Sequence, residues 1–506
     1  MEPTGTAPPG PGPNAATAPS DPEEAAELAR ELRRHLPESA VITTEEELRP
    51  WECDGLSAYR QLPMLVVIPE TEEQVRAVLA ACHARAMPVV ARGAGTSLSG
   101  GALPLARGVV LSLARFNRIL EIDADNRCAR VQPGVRNLAV SEAAAPHGLF
   151  YAPDPSSQIA CTIGGNVAEN AGGVHCLKYG LTVHNVTGLR VLTMEGEELE
   201  LGGKGPDAPG LDLLALMHGS EGMLGLVMEA TVRLTPKPER VQVMLAAFDD
   251  VEAAGAAVAA VIAAGVIPAG LEMMDNPAIR AAEDFVHAGY PTDAAAILLC
   301  ELDGTNREVS EEVARVRELL REAGATEVRT ADTPEQAATF WSGRKAAFPA
   351  TGRLAPDYYC IDGTIPRKHL GEVLTRIGAI CREHGLSAAN VFHAGDGNLH
   401  PLILYDANRE GDLERAEAAG NAILALCVER GGTVTGEHGV GVEKLDAMCG
   451  QFSAAELERF YAVKAAFDPA GLLNPGKAVP TLTRCAEHGG LHVHEGELPF
   501  PDLPRF

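Results

Sequence analysis

The chain has 506 residues, of which 46% are hydrophobic, and its formal net charge is −27. This length is enough for two or more domains with substantial cores. The acidic balance argues against nucleic acid or an anionic membrane surface as a partner, because both would repel the protein. Eleven cysteines without a CxxC pair indicate buried thiols in a reducing cytoplasm, and they exclude a ferredoxin-like iron–sulfur cluster within the chain.

The first 60 residues divide into a tail and a helical segment. Residues 1–20 are rich in Pro, Ala and Gly and lack the basic and apolar parts of a signal peptide, so we expect a disordered tail. In residues 21–60 a helix is predicted up to about residue 36, because Asp21 and Pro22 are followed by acidic residues and later by arginines.

From residue 63 the pattern becomes strand, helix, strand. Thr71 and Gln74 form a capping box that opens a helix ending near Ala86. Further strands are predicted at 88–92, 107–113, 127–134, 184–193 and 225–238, the last of which ends in a Pro-rich linker.

After the linker, helices and strands alternate, which is typical of an α+β or mixed α/β domain. Helices are predicted at 252–264, 310–324, 367–384, 412–429 and 454–466, and a strand at 295–302. The uncharged run 253–270 is long enough for a membrane span, but its Ala and Gly content and Pro268 favour a buried helix followed by a turn. We therefore expect no transmembrane segment.

Three glycine-rich segments carry the first functional signal. In VVARGAGTSLSGG (89–101), consecutive backbone N–H groups and small side chains would form a nest for phosphate oxygens, although a plain glycine loop remains the alternative. The segment is neither a Walker A loop nor a Rossmann fingerprint. In residues 151–180 two Gly-Gly pairs would let the backbone approach a flat or charged ligand closely, and HGSEGMLGLV (218–227) is a third turn of this kind.

The segment NVFHAGDGNLHPLILYD (390–406) carries the second signal. Asp-Gly between two apolar runs predicts a hairpin with a two-residue type I′ turn at Asp396-Gly397. His393 would then lie directly opposite His400, with Cβ atoms roughly 5 Å apart. Two imidazoles so placed could ligate one metal ion, and two ordinary histidines beside a tight turn are the alternative.

The order of these segments resembles the FAD-binding domain of the vanillyl-alcohol-oxidase (PCMH) type. Beyond the linker the sequence resembles the cap domain of FAD-linked 2-hydroxy-acid dehydrogenases, the family of glycolate oxidase flavin subunits and of D-lactate and D-2-hydroxyglutarate dehydrogenases. The resemblance runs from about residue 45 to 480. It implies an α+β fold with a two-subdomain FAD-binding domain at 61–238, an α+β cap domain at 239–480 and a tail at 481–506.

The resemblance also implies which residues contact the cofactor. Thr96 stands where flavin-linking histidines occur in other branches of the superfamily, so non-covalent FAD is expected. The implied cofactor-binding residues are Arg92, Gly93, Ala94, Gly95, Thr96, Ser97, Gly100, Pro153, Asp154, Thr162, Gly164, Gly165, Asn166, Asn170, Gly172, Glu221, Gly222, Gly225, Val227 and Asn474.

GGTVTGEHGVG (431–441) matches the family segment in which a glutamate binds a divalent metal and the next histidine acts on the substrate. The resemblance thus adds Glu437 to His393 and His400 as ligands for Zn, Fe or Mn, and makes His438 the general base. Arg344, in a segment similar to the W-x-x-R segment of the family, would bind the substrate carboxylate, with Lys345 as a weaker second candidate.

The activity implied is FAD-dependent oxidation of a small 2-hydroxy acid, glycolate or D-lactate, with electrons passing to an Fe–S partner subunit or to quinone. Because some relatives acting on diacids have a lysine where this protein has Tyr358-Tyr359-Cys360, a monocarboxylate is favoured. A second flavin-fold subunit and a cytoplasmic location, at most peripheral to the inner face of the membrane, are also expected. The alternatives are a D-lactate or D-2-hydroxyglutarate dehydrogenase that acts as a single polypeptide and, less favoured, a non-catalytic FAD-binding subunit.

Overall fold

The computed structural model describes residues 21–205 and 210–480. The two predicted tails, 1–20 and 481–506, lie outside the described residues. So do three histidines near the C-terminus, His488, His492 and His494, which we expect to have no function.

The protein forms two groups of secondary-structure elements in sequence order. The first group has strands β1 (Val41–Ile42), β2 (Leu65–Val67), β3 (Val89–Arg92), β4 (Val109–Ser112), β5 (Ile119–Asp123), β6 (Cys128–Val131), β7 (Leu149–Phe150), β8 (Val186–Leu192), β9 (Glu198–Gly202), β10 (Leu226–Arg233) and β11 (Thr235–Pro236). Its helices are α1 (Pro22–Leu32), α2 (Glu45–Leu48), α3 (Glu72–Ala84), α4 (Asn137–Ala144), α5 (Ile163–Glu169), α6 (Cys176–Tyr179), α7 (Thr182–Asn185) and α8 (Leu213–Met217).

The second group follows directly. Its strands are β12 (Arg240–Phe248), β13 (Gly270–Asp275), β14 (Ala296–Gly304), β15 (Glu327–Thr330), β16 (Asp357–Cys360), β17 (Ser387–Phe392) and β18 (Pro401–Tyr405). Its helices are α9 (Val251–Ala263), α10 (Asn276–Val286), α11 (Asn306–Glu322), α12 (Pro334–Ala350), α13 (Leu370–Glu383), α14 (Asp412–Glu429), α15 (Leu445–Gln451) and α16 (Ala454–Phe467).

The N-terminal half contains two main sheets. One has four strands in the order β1-β2-β4-β3, of which β2, β4 and β3 run parallel. The other has five antiparallel strands in the order β5-β6-β10-β8-β9. The predicted capping residue Thr71 starts α3, where its hydroxyl accepts the Gln74 N–H. The glycine-rich segment at 89–101 begins as β3, and the one at 218–227 leads into β10. Each of these segments is therefore anchored to one of the two sheets.

The cap is built on a seven-stranded antiparallel sheet with the order β15-β12-β14-β13-β17-β18-β16. Alternate side chains of each strand enter different cores, since strand side chains alternate between the two faces of a sheet. Helices α9, α11, α13 and α14 cover one face, and α10 and α12 cover the other. No helix within the described residues combines the length and hydrophobicity needed to cross a bilayer.

The predicted strand at 225–238 is β10, and the Pro-rich segment that ends it is itself paired. Thr235 and Pro236 pair with Phe150 and Leu149 as a short antiparallel ladder. The run 253–270 is confirmed as a buried helix followed by a turn, in which Gly265 has φ +82°.

The hairpin that carries the two histidines also differs from its predicted register. Strands β17 and β18 pair with Asn390 opposite Pro401, and the same register places His393 opposite Asn398. The predicted pairing of His393 with His400 is therefore wrong by two residues. Because side chains alternate with a period of two, this slip keeps both imidazoles on the same face of the sheet.

The reason for the slip lies in the turn. The backbone reverses over residues 394–397 rather than over Asp396-Gly397 alone, and the Gly397 N–H donates to the His393 carbonyl at 3.2 Å. Gly397 has φ +84°, and a Cβ there would collide with the Ile365 carbonyl oxygen. The glycine is thus required by its backbone angle and by close packing, and not by a type I′ turn.

Candidate active site between the two halves

A cavity of about 410 Å³ lies between the glycine-rich segments of the N-terminal half and the cap. The predicted cofactor residues that line it are Arg92, Gly93, Ala94, Gly95, Thr96, Ser97, Thr162, Gly164, Gly165, Asn166, Glu221, Gly222, Gly225 and Val227. The cap contributes Arg344, Lys345, Phe348, Pro349, His400, Glu437 and His438. Residues expected to serve the cofactor and residues expected to serve the substrate therefore share one space.

The remaining predicted cofactor residues lie behind this lining, and their contact with the cofactor stays a prediction. They are Gly100, Pro153, Asp154, Asn170, Gly172 and Asn474. The Asn474 amide donates to the carbonyl oxygens of Gly101 at 2.9 Å and Glu221 at 2.6 Å. Gly172 leaves room for Glu437, since a Cβ there would lie 2.6 Å from its Oε2. These contacts shape the wall.

The wall suits a phosphate-bearing cofactor. At Gly93 a Cβ would collide with the Thr162 hydroxyl, so only glycine lets the first two glycine-rich segments meet. Arg92 is buried beside them, donates to the Cys53 carbonyl at 2.7 Å and lies over the Trp51 ring at 5.5 Å. Backbone donors, small side chains and a buried cation form a set that fits FAD.

Three cap residues converge as the ligands of a metal ion would. One donor atom from each of His393, His400 and Glu437 lies within 4.8 Å of the others. Glu437 Oε1 is 3.2 Å from both His393 Nε2 and His400 Nε2. Burial opposes ionisation of Glu437, but the neighbouring imidazoles outweigh it and lower its pKa to about 2. An ionised carboxylate with two imidazoles fits Zn²⁺, Fe²⁺ or Mn²⁺.

A second trio, Asp362, His400 and His438, also lies within 4.8 Å. Asp362 is already engaged, because Lys444 Nζ lies 3.0 Å from its Oδ2 and the Glu437 and His438 N–H groups point at its carboxylate. Burial opposes ionisation here too, but the charge of Lys444 outweighs it and holds the pKa of Asp362 well below its usual range. Asp362 therefore organises the loop 435–441, and the first trio is the better metal site.

Behind the first trio lies a buried carboxylate that orients one ligand. Glu272, on β13, accepts from His393 Nδ1 at 2.7 Å and from Arg344 Nε at 2.8 Å. A carboxylate on the outer nitrogen of a metal-binding histidine fixes its tautomer and orientation. Arg344 is only 3% exposed, so it is not a surface residue of α12. Its neighbour Lys345 is exposed and lines the cavity without a hydrogen bond or ion pair to the described residues.

His438 lies beside the metal-ligand trio. Its ring stacks on His400 with centroids 4.8 Å apart, and its Nε2 lies 3.9 Å from Glu437 Oε1. Its Nδ1 is buried and has no hydrogen-bond partner among the described residues. Burial lowers the pKa of His438 to about 4, which leaves the imidazole neutral and able to accept a proton.

A cluster at the boundary between the two halves holds α12 one turn before Arg344. His175 contacts Asp154 through Nδ1 at 2.7 Å and Glu301 through Nε2 at 2.9 Å. Glu301 also accepts from Trp341 Nε1 at 2.7 Å. Trp341 and Arg344 stand one turn apart on α12, so two buried glutamates on neighbouring strands fix this helix.

We expect His175→Ala to lower the unfolding temperature most in mildly acidic buffer. Burial opposes protonation of His175, but Asp154 and Glu301 outweigh it and hold its pKa well above the ordinary value. Protonated His175 therefore makes its full contribution to the free energy of unfolding below about pH 6.5. This contribution is lost as pH rises through the raised pKa. The substitution should lower the free energy of unfolding by about 1.5–3 kcal/mol. Scanning calorimetry across pH measures this loss of stability. A loss that grows towards alkaline pH would contradict stabilisation by protonated His175.

The exposed His83→Ala serves as the matched control for this prediction, because His83 lies on the outer face of α3. Its unfolding temperature should follow that of the unaltered protein at every pH.

Sequence reasoning missed the buried acids that support the site. The principal ones are Glu272, Glu301 and Asp362, together with the half-buried Glu169. A signal was present for three of them, since GLEMMD, LLCELDG and CIDGTI each place an acidic residue within an apolar strand pattern. Such a residue is rarely buried without a partner. For Glu169, in a polar segment, no such signal exists.

Two family models match the chain. The FAD binding domain matches residues 63–202, and the C-terminal domain of FAD linked oxidases matches residues 237–478. The chain belongs to the FAD-linked oxidase family and is an oxidoreductase that uses FAD. The resemblance inferred from the glycine-rich segments is thereby confirmed.

Relatives place it more narrowly. The glycolate oxidase subunit GlcD of Escherichia coli K12 is 63% identical over 94% of this chain and 95% of its own length. A D-lactate dehydrogenase of Anaerostipes hadrus is 33% identical over 86% of this chain and 94% of its own. The solved structure of 4-ethylphenol oxidase from Gulosibacter chungangensis, at 17% identity, matches with a TM-score of 0.77 over 92% of this chain and 99% of its own. It shares the fold, and the predicted fold class is confirmed.

Proposed function

We propose that the protein oxidises a small 2-hydroxy acid, glycolate or D-lactate, to the 2-oxo acid with bound FAD as hydride acceptor. The observation that supports this best is that His400, Glu437 and His438 of the cap line the same cavity as the glycine-rich segments. The similarity to glycolate oxidase and D-lactate dehydrogenase points to the same substrate class.

His393, His400 and Glu437 would hold the divalent metal, with Glu272 fixing the orientation of His393. A bound metal would polarise the hydroxyl and carboxylate oxygens of the substrate, and FAD would supply the hydride acceptor.

His438 would take the hydroxyl proton. It is neutral, lines the cavity and is packed against His400, which limits its movement. Removing the proton as the hydride leaves is what the oxidation of an alcohol carbon requires of a general base. The proton acceptor would then be held beside the metal ligands by its stacking on His400.

The substrate carboxylate needs a cation, and Arg344 and Lys345 both reach the cavity. Part of the Arg344 charge is balanced by Glu272, which leaves Lys345 as the unpaired positive charge on the cap side of the described cavity lining. At the position where diacid-specific relatives have a lysine, Tyr358 is half-exposed and Tyr359 is buried in the core. A substrate with one carboxylate fits this charge arrangement.

The electrons would pass to a partner Fe–S subunit or to quinone, with a second flavin-fold subunit in the complex. The cysteines support a separate cluster carrier, because those from Cys53 to Cys427 in the described residues stand as scattered free thiols. The second candidate is a D-lactate dehydrogenase that works without partner subunits, favoured by the relative of that name.

An anaerobic substrate panel tests the proposal. The flavin absorbance of the FAD-loaded protein should bleach with glycolate or D-lactate and stay oxidised with D-2-hydroxyglutarate, because the described lining offers no cation for a second carboxylate beyond Lys345 and Arg344 on the cap side. A flavin that dithionite reduces but none of these acids does would overturn the substrate class while leaving the FAD site intact.

A further inference from the structure

Two carboxyl groups, those of the buried Glu221 and the half-buried Glu169, meet at the cavity wall where the N-terminal half contacts the loop 435–441. Glu169 ends α5 and Glu221 lies in the third glycine-rich segment, and both line the cavity. A Cβ at Gly101 would lie 2.9 Å from Glu169 Oε1 and 3.3 Å from Glu221 Oε2. A Cβ at Gly439 would collide with Glu169 Oε2. Two glycines, on opposite sides, therefore make the room that this carboxyl pair occupies.

The two carboxyls have unequal surroundings. Glu221 accepts the backbone N–H groups of Val440 at 2.7 Å and Gly441 at 2.8 Å, which stabilise a carboxylate. Glu169 has no backbone donor among the described residues, and its Oε2 is buried without a hydrogen-bond partner there. If one proton is shared by the pair, it belongs on Glu169.

The charges around Glu169 support this placement. Glu221 and Asp54 face it with negative charge, Lys444 and Lys477 with positive charge, and the Ser97 hydroxyl contacts it. Burial, followed by the charges of Glu221 and Asp54, raises the pKa of Glu169 well above its ordinary value. The two lysines do not reverse this shift.

We propose that Glu169 is a neutral carboxylic acid in the folded protein and donates a hydrogen bond to an acceptor atom of the bound FAD. A protonated carboxyl has one O–H to donate. Glu169 is partly exposed and lines the cavity together with the flavin segments, so a protonated carboxyl there can direct its O–H towards bound FAD. Reduction makes a flavin more electron-rich, so this donor stabilises the reduced cofactor more than the oxidised one. The inference rests on FAD binding at this cavity and not on which acid is oxidised.

The test is the midpoint potential of the FAD-loaded protein, titrated with dithionite against a reference dye, for the unaltered protein, Glu169→Gln and Glu169→Ala. Glu169→Gln keeps a neutral donor and should keep the potential. Glu169→Ala should weaken binding of reduced relative to oxidised FAD about tenfold, a fall of about 30 mV for a two-electron couple. The method needs no hydroxy-acid substrate, so its result does not depend on the proposed activity.

Two outcomes would overturn the inference. If Glu169 were ionised, both substitutions would remove a negative charge beside the flavin and raise the potential. If Glu169 only filled space, neither would move it. A pH series on Glu169→Gln keeps the test valid should Glu169→Ala not fold. The potential of the unaltered protein should fall below that of Glu169→Gln only at alkaline pH, where Glu169 ionises, and parallel curves throughout would contradict the neutral acid.

Discussion

Glu437→Gln should remove tightly bound metal and slow the reduction of FAD by substrate by about 10³-fold or more. Glu437 is the carboxylate of the trio and contacts both imidazoles at 3.2 Å, so a neutral amide leaves two histidines to hold a dication. FAD content should not change, because Glu437 comes from the cap. Metal analysis and anaerobic stopped-flow absorbance measure the two effects.

Two further variants test this result, one with a smaller expected effect on metal binding and one with none. Glu272→Gln keeps all three ligands but alters the partner of His393, and should cost about 10–100-fold in metal affinity. Glu429→Gln, on an exposed side chain, is the matched control and should change neither quantity. Full activity of Glu437→Gln without metal would show that the trio is not a metal site.

His438→Gln should leave FAD and metal bound and slow substrate reduction of the flavin by about 10²–10⁴-fold, the usual contribution of a general base. The imidazole is not one of the three converging ligands, yet it lies against them with ring centroids 4.8 Å from His400. Cofactor and metal content therefore separate a lost base from a damaged site.

The matched control for His438 is the exposed His147→Gln, which should behave as the unaltered protein. A normal rate of flavin reduction in His438→Gln would remove His438 as the base and move that role to another group at the cavity.

Local sequence signals predicted most of the secondary structure that positions the site. Thr71 caps the helix that it was expected to start, Ser453 caps the helix predicted at 454–466, and the apolar runs at 65–67 and 296–304 form buried strands. These features depend on a few neighbouring residues, since caps and strand patterns are local.

The hairpin register and the partners of the buried acids could not be predicted in the same way. The turn depends on the contact of Gly397 with the carbonyl of Ile365, and the orientation of His393 depends on Glu272, far away in sequence. Both are long-range contacts. The two histidines nevertheless share a face, because a slip of two residues preserves strand parity.

Metal removal and add-back is the most direct test of a metal-assisted flavin oxidation at this site. The purified protein, loaded with FAD, is treated with a chelator, desalted and mixed anaerobically with the acid that bleaches the flavin of the untreated protein. The flavin should stay oxidised until Zn²⁺, Fe²⁺ or Mn²⁺ is returned, and then bleach at the original rate. Full-rate bleaching of the metal-free protein would contradict a role for His393, His400 and Glu437 as a metal site.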